Sequence, residues 1–226
     1  MRDDAAKIER IIANSSLYRM LTPRQIERIA EHTSPLRAVP NVTVIQQGDP
    51  ALGTYWIVYG QVHIAVNSKQ GGVKMLAILG ANKCFGLGEM VMNQPHQTCV
   101  TTTADTMLLH TEREVILDIA DENPAFAREV MTCLGRQFCG LVRDIGSYAL
   151  NAHQRLADYL LRQGGERLPN AEIALVANKG VIAARLSLTP ETLSRVFRDF
   201  SKDGIIQVNN RRITVLDWPR MEAMLA

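Results

Sequence analysis

The 226-residue chain has few cysteines, no long apolar run and almost no net charge, and each shortage narrows what it can be. Its four cysteines, Cys84, Cys99, Cys133 and Cys139, form no CxxC pair, so no zinc or dithiol motif is visible. No stretch approaches the ~20 uninterrupted apolar residues that cross a bilayer. The start, Met1-Arg2-Asp3-Asp4, lacks the apolar core of a secretory signal. A cytoplasmic protein with free thiols and no membrane partner is expected. No metal cluster, no nucleophile with a placed base and no phosphate loop can be found, which argues against an enzyme. Net charge is +2, but residues 151–226 carry 11 Lys and Arg against 8 Asp and Glu, leaving 14 against 15 elsewhere. The small basic excess at the C-terminal end fits a nucleic-acid footprint.

What is present is a change of texture along the chain. Residues 5–14 and 22–32 read as short helices, the second opened by Thr22-Pro23 as cap and first turn. From Arg37 to His110, β-branched runs alternate with Gly, Pro, Asn and Asp: 42–45, 55–58, 62–66, 73–79, 99–103 and 106–109. Val62, Ile64 and Val66 alternate with His63 and Ala65, the period of a half-buried strand. Short strands at this spacing predict a β-roll or jelly roll. A helix pattern follows, breaks at Asn123-Pro124 and resumes to about residue 149. Along it Val130, Leu134, Phe138, Leu141, Ile145 and Tyr148 recur at intervals of four and three. Such a seam packs either on its own domain or on a second copy of the helix. The expected layout is α+β: N-terminal helices with a β-roll (1–122), a dimerisation helix (123–150) and a C-terminal winged helix-turn-helix (151–226).

The last segment is the most telling. After a joint at Asn151-Ala152 and a helix over 153–162, residues 172–176 read as a strand and Asn178 caps a helix over 179–186. Ser187-Leu188 turns, and Thr189-Pro190 opens a second helix to about Lys202, ended by Asp203-Gly204. Residues 205–208 and 212–216 then form a hairpin about Asn209-Asn210. Helix, turn, helix and wing is a DNA-reading layout. Glu191, Ser194, Arg195 and Arg198 share one face of the second helix, opposite Leu193, Val196, Phe197 and Phe200. Arg offers a fork to guanine, Glu accepts from cytosine, and Ser bonds to either edge. Thr189 and Thr192 lie at the helix start, where N–H groups suit a phosphate. On an isolated helix, Glu191 and Arg195 would equally read as a surface ion pair.

Glu191 to Arg195 resembles the recognition helix of the cyclic-AMP receptor protein / fumarate-nitrate reduction regulator (Crp/Fnr) superfamily, and the resemblance covers almost the whole chain. Gln47-Gly48-Asp49, Tyr55 to Val58, Gly60 to Val62, Ile64 and Val66 resemble its β-roll signature. Phe85 to Glu89 resembles the start of its phosphate-binding cassette, and Asp203 to Ile206 the exit from its recognition helix. Ser194 stands where the cyclic-AMP branch has Gly. The resemblance therefore implies TTGAT-like inverted repeats read by Glu191, Ser194 and Arg195, a homodimer on double-stranded DNA, and RNA polymerase as a partner. The run Leu188 to Arg195 is most similar to the nitric-oxide-responsive regulators of denitrification.

For the effector, the resemblance places Gly88, Glu89, Gln97 and Thr98 in the cassette. Cyclic-AMP-binding relatives have an Arg-Ser pair where Gln97-Thr98 stands, and a neutral amide does not replace a charge-assisted phosphate bond. Cyclic AMP is thus not expected. An iron–sulfur cluster is not expected either, since no cysteine precedes Cys84. The resemblance implies haem as cofactor and nitric oxide or another small molecule as effector, with His32, His63, His96, His110 and Cys84 as candidate axial ligands. The paired histidines some relatives carry near the N-terminus are absent, the stretch reading Asn14-Ser15-Ser16-Leu17. A cyclic-nucleotide- or metabolite-binding module without haem is the alternative. Cys133 and Cys139 lie about 120° apart on their helix, so a bridge between them is disfavoured. Inert packing is the default for the thiols, and intersubunit oxidation stays open.

Overall fold

The computed structural model describes residues 2–67, 72–146, 149–164, 171–175, 177–210 and 212–225. Packing divides the chain into two units, residues 1–139 and 140–226. The division falls inside the long helix, between Cys139 and Gly140, and not at either of its ends.

In the first unit, α1 (Arg2–Ala13) and α2 (Pro23–Glu31) precede the strands. Thr22 caps α2: its hydroxyl accepts from the Gln25 N–H while the Gln25 side chain accepts from the Thr22 N–H. The strands are β1 (Thr33–Ala38), β2 (Thr43–Ile45), β3 (Gly53–Tyr59), β4 (Gln61–Asn67), β5 (Val73–Gly80), β6 (Cys84–Phe85), β7 (Cys99–Thr102) and β8 (Thr106–Glu112). Between β6 and β7 runs α3 (Leu87–Met92); α4 (Arg113–Glu122) and α5 (Pro124–Gly146) follow β8. The strands form two antiparallel four-stranded sheets, ordered β1-β8-β3-β6 and β2-β7-β4-β5.

Alternation along the strands explains two cores. Ile57, Phe85 and Leu108 of the first sheet meet Ile45, Val62 and Val100 of the second. Their chain neighbours Trp56, Cys84, Met107 and Leu109 point the other way, into a core with Ile12, Tyr18, Ile29, Leu87, Ile116 and Phe126 from the helices. Strands buried on both faces read as unbroken apolar runs, hence Met107-Leu108-Leu109. The edge strand β1 escaped the sequence reading because it is mostly exposed and contains Pro35, which an edge tolerates.

In the second unit, Asn151 caps α6 (Ala152–Gln163) with a box closed by Gln154. Then come β9 (Glu172–Ala174), α7 (Lys179–Arg185), α8 (Pro190–Lys202), β10 (Ile206–Asn209), β11 (Arg212–Val215) and α9 (Trp218–Ala223). The three strands form one antiparallel sheet ordered β10-β11-β9. Asn210 takes the expected positive φ, 54°. The expected strand end at Val176 and the seam position Tyr148 lie outside the described residues.

Candidate DNA interface and sensor cassette

The geometry of α8 begins at its cap. The Thr189 hydroxyl accepts from the Thr192 N–H and also contacts the Thr192 hydroxyl, both at 3.2 Å. Leu193, Val196, Phe197 and Phe200 are buried, anchoring one face of the helix. Lys179 of α7 places its ammonium over the Phe197 ring at 5.3 Å. His153 of α6 contacts Asp199 at 3.1 Å and lies against Phe200. The guanidinium of Arg155 donates to the carbonyls of Leu186 and Ser187, which fixes the turn between α7 and α8. Ser187 itself has φ 55°. Sequence reading missed Arg155, because its role depends on a turn 31 residues away.

The opposite face of α8 carries Glu191, Ser194, Arg195 and Arg198, all exposed, with Thr192 half-buried beside them. Among the described residues, no carboxylate lies within ion-pair distance of Arg195 or Arg198, so the Glu191–Arg195 surface pair is not formed. Glu191 is held below the usual carboxylate range, first by its own backbone N–H and then by the Thr189 hydroxyl, and accepts hydrogen bonds as an anion. Two cationic forks, one carboxylate held by the start of the helix and one hydroxyl thus face solvent on a buttressed helix. Beside it the hairpin of β10 and β11 is tied to β9 by Arg212–Glu172 at 2.9 Å.

In the sensor unit the structure brings the cassette residues together. Gly86 enters α3 at φ 76°, and Asn93 leaves it at φ 53°. A side chain at Gly86 would press on His96 at 3.2 Å, so glycine is required on both counts. Arg113 of α4 donates to the carbonyl of Met90 at 2.9 Å and holds the end of α3. The chain then folds back, and the Gln97 N–H meets the Glu89 carboxylate at 3.5 Å. Gln97 and Glu89 thus close a loop beside Gly88 and Thr98, with no cation among the four. The first turn of α3 lies against α5, where a methyl at Gly88 would touch Leu134 at 3.8 Å.

Of the candidate haem ligands, His96 and His110 lie near each other, beside Gly86 and Gly53. His32 of the first turn after α2 pairs with Glu112 at 2.9 Å, while His96 is buried and packed on Gly86. His110 lies against Tyr55 at 4.6 Å, and Cys84 is 3.0 Å from Cys133. Burial lowers the pKa of His63, His96 and His110. His63 leaves Nδ1 buried without a partner. A cavity of about 510 Å³ is lined by Lys7, Arg10, Ile11, Asn14, Trp56, Val58 and Asn82. None of these supplies an axial ligand, so the residues present do not fit haem there.

The seam along α5 is divided. Val130 is buried in its own domain, and Leu134 packs on the same core. At these two positions the own-domain packing applies, of the two the sequence left open, because the first turns of α5 cover the sensor core. Past them, Phe138, Leu141 and Ile145 are exposed, together with Met131 and Val142 that the sequence reading left out.

Residues 36–123 match the family described as "Cyclic nucleotide-binding domain", and residues 154–224 match "Crp-like helix-turn-helix domain". A "CRP-like cAMP-activated global transcriptional regulator" of Mycobacterium tuberculosis is 20% identical over 219 residues, covering 95% of this chain and 98% of its own. The "Fumarate and nitrate reduction regulatory protein" of Vibrio cholerae is 24% identical, covering 85% and 78%. The structure of FixK2 from Bradyrhizobium japonicum superposes with a TM-score of 0.76 at 21% identity, covering 86% of this chain and 98% of that one. Both branches of the superfamily are similar to a comparable degree, so the nitric-oxide-responsive branch is not singled out. Among the described residues no helix is long and apolar enough to cross a membrane. With its sensor and DNA-reading domains in this order, the chain belongs to the Crp/Fnr family of effector-controlled, DNA-binding transcription regulators, a family without enzymatic activity.

Proposed function

We propose that this regulator binds TTGAT-like inverted repeats as a homodimer, and that its effector is not cyclic AMP. The observation that carries the reading is the exposed face of α8, where Glu191, Ser194, Arg195 and Arg198 stand without carboxylate partners on a buried apolar base. Arg195 forks onto guanine, Glu191 accepts from cytosine N4, and Ser194 completes the half-site. The dimer forms along α5, where Met131, Phe138 and Ile145 recur every seven residues with Leu141 and Val142 beside them, all exposed. An effector beside α3 shifts α5, and the two recognition helices reach or miss a spacing of ~34 Å, one DNA turn. RNA polymerase is the partner on which DNA-bound dimers act.

In the cassette, Glu89 retains the acceptor that holds a ribose hydroxyl, but Gln97 offers no charge to a cyclic phosphate. Nitric oxide sensing through haem is a second effector reading, resting on the likeness of Leu188 to Arg195 to the denitrification regulators. No ligand geometry among the described histidines supports it. The test is calorimetry with cyclic AMP alongside a haem titration followed by absorption. Heatless cyclic AMP injections are the expected result, and micromolar binding overturns that part. A sharp Soret band saturating at one haem per chain establishes the haem reading, and the broad spectrum of loose haem removes it.

A further inference from the structure

Cys84 of β6 and Cys133 of α5 lie 49 residues apart in sequence, yet their sulfurs are 3.0 Å apart. A disulfide needs ~2.05 Å, so an approach of about 1 Å completes the bond. Cys84 is buried among the apolar side chains of the sensor core. Cys133 is half-exposed, and the amide of Gln137, one turn further along α5, lies 3.5 Å from the Cys133 sulfur and 3.3 Å from the Cys84 carbonyl. Gln137 is exposed and Cys133 is only half-buried, so the Cys133 end of the pair meets solvent.

We propose that Cys84 and Cys133 form a reversible thiol–disulfide site that staples the strand entering the sensor cassette to the long helix α5. The two thiols are chemically unequal. The hydrogen bond shared with Cys84, then the Gln137 amide and the Arg136 charge, lower the Cys133 thiol from its ordinary value and favour its anion. Cys84 is pushed up, first by that same hydrogen bond and then by burial, and stays protonated. Cys133 is therefore the nucleophile and Cys84 the resolving thiol.

With a hydroperoxide as oxidant, the Cys133 thiolate attacks the outer oxygen. An S–O bond forms, the O–O bond breaks, and the leaving oxygen takes a proton to depart as water or an alcohol. The sulfur is oxidised by two electrons to a sulfenic acid, and the peroxide is reduced by two. The Cys84 sulfur then attacks the Cys133 sulfur. The S–S bond forms, the S–O bond breaks, and hydroxide leaves with the Cys84 proton as water. A dithiol reverses the change by exchange. Cys84 lies two residues before Gly86, and Leu134, next to Cys133, stands where a methyl added at Gly88 in the first turn of α3 would meet it at 3.8 Å. The staple thus fixes α3 against α5 at the place where an effector would act.

The experiment treats the reduced full-length protein with hydrogen peroxide, alkylates the remaining thiols and maps peptides without reduction. The expected result is a Cys84–Cys133 peptide lighter by about 2 Da than the two thiol peptides, restored by dithiothreitol. Cys99 and Cys139 remain alkylated. Cys84→Ser should stop at a Cys133 sulfenic acid that dimedone captures, and Cys133→Ser should leave Cys84 alkylatable. The oxidised and reduced proteins should differ about tenfold in affinity for an inverted-repeat duplex, the scale of an allosteric coupling. A disulfide involving Cys99 or Cys139, or alkylation of both Cys84 and Cys133 after peroxide, overturns the site. Equal DNA affinity of the two forms overturns the staple as a switch. Failure of both forms to bind DNA would instead refute the DNA half-site assignment, and the peptide map still decides the thiol site.

Discussion

A methyl group added at Gly164 tests how α6 and α9 hold the DNA-reading unit together. Gly164 ends α6 at φ −70° and ψ 114°, a conformation any residue adopts, so Gly164→Ala introduces no backbone strain. Loss of unfolded-state freedom alone would stabilise the protein by about 0.4–1 kcal/mol. The new methyl, however, would collide with Cη2 and stand 3.0 Å from Cζ3 of Trp218. Trp218 is 6% exposed at the start of α9, and Met221 is buried on the same helix. The Gln154 amide donates to the Met224 carbonyl at 2.9 Å and holds the far end. The ring must slide by roughly 1 Å, and such overpacking costs about 1–3 kcal/mol. The overpacking wins, and a net loss of about 1–2 kcal/mol is expected. The chain has two tryptophans, one per unit, so a Trp56→Phe background leaves Trp218 as the sole indole reporter. Urea unfolding followed by its emission should show a lower midpoint and an altered native spectrum. A midpoint equal or higher, with the native spectrum unchanged, would mean that Trp218 has room to spare and that this packing is wrong.

Three further outcomes are expected. Burial keeps His63, His96 and His110 neutral, with pKa values below their ordinary one. For such groups the unfolded state binds more protons, so their contribution is full above about pH 6.5 and is lost as pH falls through the lower folded values. Thermal melts of His96→Gln should therefore flatten across this window relative to the wild type, and an unchanged pH profile would show that His96 titrates alike in the folded and unfolded states. Phe138→Glu, at a position 66% exposed, should leave the folded far-UV circular dichroism unchanged but shift sedimentation toward monomer. A persisting dimer would place the seam elsewhere. Phe200→Ala, fully buried under the recognition helix, should cost about 3–5 kcal/mol and abolish DNA binding, read by urea unfolding and band shift together.

Much of the architecture was legible because strong local signals agreed. Thr22, Asn178 and Thr189 each cap the helix their chemistry announced, while Asn151, read only as a joint, also proves to be a cap. The reading face of α8 was legible for the same reason, since a 3.6-residue period sorts Leu193, Val196 and Phe200 from Ser194 and Arg195. What stayed hidden depends on distant partners or on weak local signal. β6 has two residues and α3 six, too short to leave a period. α9 begins at Trp218-Pro219, where proline starts a helix as readily as it marks a turn. On α5 the apolar period gave a face but not its neighbours: Val130 and Leu134 meet the sensor core, while Phe138 and Ile145 do not. The Cys84–Cys133 contact arises from the fold of β6 onto α5, and no spacing in the sequence encodes it.

The most direct measurement is fluorescence anisotropy with a duplex carrying a TTGAT inverted repeat, and with the same duplex altered at its G·C pairs, for the wild type and Arg195→Ala. The wild type should prefer the intact repeat, with affinity falling steeply as salt rises. Arg195→Ala should lose ~1–3 kcal/mol on the intact repeat and almost nothing on the altered one, so that the preference collapses. A variant that keeps the wild-type preference would contradict the assignment of α8's exposed face as the reader of DNA sequence.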